Sequence, residues 1–123
     1  MNKPLTFLLS LTFLFLFSGS VYVGELQDGL DAYNRKDYKE AVRLFRLPTE
    51  QGHALAQHNL GFMYVKGTGV LQDYVSAHMW FNLAGSNGNK NSVHNRDIIE
   101  KRMSPSQIEK AQEMARNWKP TKK

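Results

Sequence analysis

The chain has 123 residues, 22% of them charged, a formal net charge of +5 and no cysteine. That length holds one domain. The missing thiols exclude disulfides, thiolate zinc sites, cysteine nucleophiles and the lipid-attachment cysteine of a bacterial lipoprotein, so the fold must rest on packing.

Residues 1–20 have the three-part pattern of a secretory signal. Lys3 gives a positive start, Leu5 to Phe17 is apolar except for Thr6, Ser10 and Thr12, and Ser18-Gly19-Ser20 offers small residues for cleavage. Cleavage after Ser20 would place the protein in the periplasm or outside the cell. The rival readings are a buried core helix and an uncleaved anchor, the latter the one case in which a membrane contact is expected. The apolar run falls short of the ~20 residues a spanning helix needs. Residues 21–118 then form the folded domain, and 119–123, with Lys119, Lys122 and Lys123, a basic tail. A basic balance suits acidic protein, anionic membrane or nucleic acid, and export argues against nucleic acid.

A shift of 36 residues lays the chain on itself. Asp37, Tyr38, Ala41, Phe45, Leu47, Gly52, His58 and Asn59 coincide with Asp73, Tyr74, Ala77, Phe81, Leu83, Gly88, His94 and Asn95. Leu26, Leu30 and Tyr33 predict a short first helix. Tyr38, Ala41 and Phe45, and again Tyr74, Ala77, Phe81 and Ala84, share one helical face. Asp37 and Asp73 stand where a carboxylate caps a helix start, and Gly52 and Gly88 where a left-handed residue closes one. Pro48 predicts a kink or an end near Arg46. The next helix carries Ala56, Leu60, Met63 and Tyr64, and Gly67-Thr68-Gly69 stops it. Residues 91–102 predict another helix with Ile98 and Ile99. Ser104-Pro105-Ser106-Gln107 reads as a capping box with proline at the first helical position, opening a final helix with Ile108, Ala111, Ala115 and Trp118 on one face. One complete unit, about 53–88, is expected between partial ones, with 105–118 as the cap.

The order Asp37-Tyr38-Lys39-Glu40-Ala41, Glu50-Gln51-Gly52-His53-Ala54-Leu55-Ala56-Gln57, Leu60-Gly61-Phe62-Met63-Tyr64, Gly67-Thr68-Gly69-Val70, Gln72-Asp73-Tyr74, Ala77 and Trp80 resembles the Sel-one-like repeat family, a branch of the tetratricopeptide-like helical repeats. Pro48 and Gly85-Ser86-Asn87 depart from its pattern. The resemblance implies an all-α fold, a short right-handed alpha-alpha solenoid of antiparallel helix pairs with a C-terminal capping helix. It also implies a module that holds other proteins together, often in the bacterial envelope or in signalling assemblies. A few cysteine-rich relatives have been linked to β-lactam binding, a property that the absence of cysteine makes a weak expectation here.

In such stacks the first helix of each pair lines the concave side. That places Leu55, His58, Phe62 and Lys66 in the groove with His94, Ile98, Lys101 and Arg102, and Asn59 and Asn95 at its edge. Apolar anchors beside amide, imidazole and cationic donors suit a protein or peptide with an acidic group or free carboxylate. The bland alternatives are a duplicated His-Asn pair bonded within the stack, and Lys101 and Arg102 serving the helix dipole. No metal or cofactor is expected: His53, His58, His78 and His94 contain no i, i+4 pair, and helices ~10 Å apart do not bring imidazoles to zinc distance. Gly67-Thr68-Gly69 lacks the Lys-Ser/Thr ending of a phosphate loop. Trp80, Phe81 and Trp118 read as core or capping residues. Catalysis is not expected; the alternatives to an exported binding module are a small cell-wall or β-lactam-binding enzyme and a membrane-anchored accessory subunit.

Overall fold

The computed structural model describes residues 24–121; the stretch 1–20, expected to be a signal segment, lies outside them. Among the described residues there are six helices and no strand. They are α1 (24–34), α2 (Tyr38–Glu50), α3 (Ala54–Lys66), α4 (Tyr74–Ser86), α5 (Lys90–Glu100) and α6 (Pro105–Asn117). None is long and apolar enough to cross a membrane. α1 packs on α2 through Gly29 and Phe45, α3 pairs with α4, and α5 and α6 each pack on α4. α3 packs on α2 and α4, and α4 also meets α5 and α6, so α4 is the hub.

Small residues let the paired helices close on each other. A Cβ at Gly29 would sit 2.7 Å from the Phe45 ring, and one at Gly61 would sit 2.7 Å from the Phe81 ring. Both phenylalanines are fully buried. The first pair centres on Ala32, Ala41, Phe45, Ala56 and Met63, with Leu26, Leu30 and Tyr33 packed against them. The second cluster joins Ala77, Phe81, Ile99, Met103 and Ala111, with Phe62, Tyr64 and Ile108 around it. α3 supplies side chains to both, which makes the core continuous along the stack.

Three helices stop in the same way. After α2, His53 N–H donates to the Pro48 carbonyl and Gly52 N–H to that of Thr49, with Gly52 at φ 88°. After α4, Asn89 N–H donates to Ala84 and Gly88 N–H to Gly85, with Gly88 at φ 105°. Both are Schellman turns. α1 makes a third, Asp37 N–H to Ala32 and Lys36 N–H to Tyr33, with Lys36 at φ 65° where glycine would be expected. The longer turn after α3 uses Gly67 in the left-handed region, and Gly69 passes so close to α2 that a Cβ there would lie 2.6 Å from the Tyr38 carbonyl oxygen.

At two helix-end features the structure differs from the expectation. α2 does not end near Arg46; it runs to Glu50 with Pro48 in its last turn. There proline forfeits a single backbone bond, its ring is buried, and its carbonyl serves the closing turn. Asp37 occupies the cap position of α2 without a side-chain cap bond, whereas Asp73 accepts from Val75 and Ser76 N–H at 3.0 and 3.2 Å. The Ser104–Gln107 capping box forms in full, at 3.1 and 2.9 Å.

Candidate functional site

α3 and α5 stand side by side on one face of the stack, tied by His58 Nδ1 to Ser92 Oγ at 2.5 Å. The His58 ring also meets Phe62 and Phe81, at centroid distances of 5.0 and 5.7 Å. Burial holds His58 below its ordinary pKa, so this imidazole is a neutral, internally bonded ring at neutral pH. Its repeat mate His94 is exposed. The duplicated pair therefore occupies two different environments. Asn59 and Asn95 are half-buried, and the Asn59 amide nitrogen is buried without a hydrogen-bond partner.

Two small clusters form along this strip. Phe62 packs edge-to-face on Phe81 at 5.4 Å, with Lys66 Nζ 5.9 Å from the Phe62 ring centroid. Further along, Val65, Tyr74, Ile98, Ile99 and Arg102 enclose a depression of about 210 Å³. Arg102 Nη1 reaches toward the Tyr74 hydroxyl at 3.5 Å, a long contact that leaves the guanidinium available. Ile98 is 47% exposed and Leu55 42%. The structure thus brings Ile98 and Arg102 into one depression and gathers His58, Phe62 and Lys66 into a second group. Leu55, His94, Asn95 and Lys101 lie outside the depression, and Lys101 caps the end of α5 in solvent.

Two features escaped the sequence reading. Gln57 is fully buried and links the repeats: its amide donates to the Thr49 carbonyl at 3.3 Å and its oxygen accepts from Asn87 Nδ2 at 3.0 Å. His78 is also fully buried, with Nε2 2.8 Å from Glu100 Oε1. Only buried polar residues inside an otherwise apolar pattern hinted at either. Among the described residues no three His, Asp or Glu side chains converge as metal ligands.

A larger cleft, about 510 Å³, opens on the opposite side of α3, where α2 and α4 do not pack closely on each other. Leu60 and Tyr64 of α3 form its floor. Val42, Thr49, Glu50 and three cations of α2 form one wall, Trp80 of α4 the other, and Trp118 the end. Trp80 and Trp118 meet edge-to-face at 6.3 Å. The expectation that both were core or capping residues holds only in part, since each is half-exposed at the cleft.

Helix pairs stacked on shared helices, with solvent-facing side chains left along the strip, define an alpha-alpha solenoid of the protein-interaction type. The Sel1 repeat model matches residues 22–53 and 54–89, and the chain belongs to that family. Repeats of this kind are generally non-enzymatic scaffolds that bind proteins. A search of the curated proteins gives no match. Among solved structures, the crystal structure of c5321, a protective antigen present in uropathogenic Escherichia coli strains and displaying an SLR fold, is similar at 32% identity and a TM-score of 0.73. The match covers 79% of this chain and 22% of that one, so this chain spans about a fifth of that protein's length.

Proposed function

We propose that the protein is exported and works in the periplasm or outside the cell as an adaptor, holding a protein or peptide along the α3/α5 strip. The observation that carries the reading is the depression in which exposed Ile98 and Arg102 lie beside Val65 and Tyr74. An apolar side chain of the partner fills it, and an acidic group or free carboxylate pairs with Arg102, with Lys101 nearby in sequence. Leu55, Phe62 and Lys66 extend the surface. Asn59, His94 and Asn95 offer polar contacts, and His58 braces the strip from within. The hydrophobic, lysine-led segment 1–20 supports export.

The test is affinity capture from envelope extract with the protein and with a folded Phe62→Ala/Lys101→Glu/Arg102→Glu variant. A partner held by the former and lost by the latter supports the reading. Equal recovery by both would place the interface elsewhere. Export is tested separately by the mass of the native protein, which should lack residues 1–20.

A further inference from the structure

The cleft between α2 and α4 lies on the far side of α3 from that strip and does not depend on it. Along α2, Lys39, Arg43 and Arg46 repeat at helical spacing on one wall, while Tyr64, Trp80 and Trp118 supply aromatic surface. The cations stay open to solvent. Arg43 donates to both carboxylate oxygens of Glu40, from Nε at 2.9 Å and from Nη2 at 2.5 Å, and Arg46 pairs with Glu50 at a long 3.4 Å, yet the two arginine side chains remain 68% and 79% exposed. A single long exposed contact such as Arg46–Glu50 contributes little, so an incoming carboxylate can replace the internal one there at small cost. Lys39 makes none of the ion pairs found among the described residues.

We infer that this cleft is a second docking site, for an acidic peptide segment that places one bulky aromatic or aliphatic side chain between Tyr64, Trp80 and Trp118 and its carboxylates against Lys39, Arg43 and Arg46. The volume suits a large side chain with its flanking backbone. Aromatic walls favour a ring or branched chain that can pack on their faces and edges. Guanidinium groups favour carboxylates because they donate in pairs to both oxygens. The surplus of cations over acids along the wall, in a chain of net charge +5, selects against a basic segment.

The chain's two tryptophans, Trp80 and Trp118, both line this cleft. Their emission therefore reports occupation of this site and not of the strip. Random dodecapeptides displayed as a library are selected on the full-length protein, and the enriched peptides are titrated while tryptophan emission is followed. The expected outcome is enrichment of sequences with Asp or Glu within a few positions of Trp, Phe or Leu, and an emission shift that saturates. Arg43→Glu/Arg46→Glu with helicity retained should weaken binding about tenfold or more, and Ile98→Ala should leave it unchanged. If the double reversal loses helicity, Lys39→Gln at its exposed site provides the comparison, with a smaller loss. Failure to enrich any peptide, enrichment of basic ones, an unmoved emission or full affinity in the charge variants would overturn the proposal. So would self-association of the protein that those variants abolish, because the occupant would then be a second copy.

Discussion

The first helix pair and the second are built to one plan with different parts. In each, a glycine on the leading helix lets the ring of a buried phenylalanine on the following helix approach, Gly29 with Phe45 and Gly61 with Phe81. The glycines are not in register with the repeat shift that aligns the phenylalanines; the longer turn after α3 absorbs the difference. What differs is the finishing. α1 closes on Lys36 in a left-handed conformation where α2 and α4 close on glycine. Asp37 caps nothing with its side chain where Asp73 caps two amides. The glycine–phenylalanine contact therefore sets the pairing, and caps and closures adjust its stability.

Breaking the shared contact should produce the largest effect. Phe45→Ala and Phe81→Ala are each expected to cost about 3–5 kcal/mol in urea denaturation. Phe81 should cost more, because its ring also meets His58 and Phe62, and aromatic pairs add about 0.5–1.5 kcal/mol beyond burial. Equal losses would show that the aromatic cluster adds nothing. Next, Asp73→Ala should lower stability by about 1 kcal/mol, whereas Asp37→Ala should cost only a few tenths. Similar costs at the two positions would mean that Asp37 caps α2 in solution. Lys36→Gly should raise the unfolding free energy in urea denaturation by up to about 1 kcal/mol, since it relieves a left-handed lysine without removing a core contact.

The smallest expected effect is a pH dependence. Burial lowers the folded-state pKa of His58 below its ordinary value, so the unfolded chain binds the extra proton first. The stability associated with the neutral ring is then complete above about pH 6.5 and declines as pH falls through that value toward the lower folded pKa. His58→Asn should flatten this slope in denaturation curves measured across the window.

Much of this architecture was legible because it is local. Helix starts at Asp73 and Ser104, and stops at Gly52, Gly67 and Gly88, depend on residues within a turn of one another, and the repeat shift displayed them twice. Pro48 misled because a proline's effect depends on how many turns remain after it. Here only the last turn remains, and the closing bonds use its carbonyl. The strip was legible as a list of residues but not as a site. Periodicity placed Ile98 and Arg102 on one face, yet only the packing of α5 beside α3 and the start of α4 puts Val65 and Tyr74 next to them. The cleft was not legible at all. It arises because α2 and α4 stand apart, and it gathers residues from Lys39 to Trp118 across most of the domain, a distance over which no periodic pattern carries information.

One backbone bond changes how the stack should come apart. Thr121 N–H donates to the Glu50 carbonyl at 2.9 Å, so the segment after the last helix reaches back to the end of the first pair. A solenoid normally knows only its neighbours and can fray from either end, one unit at a time. This clasp links the outermost units directly, making a linear array behave as a loop. Loss of the last helix must then disturb the first pair, and melting monitored at the two ends should coincide until the residues beyond Trp118 are removed.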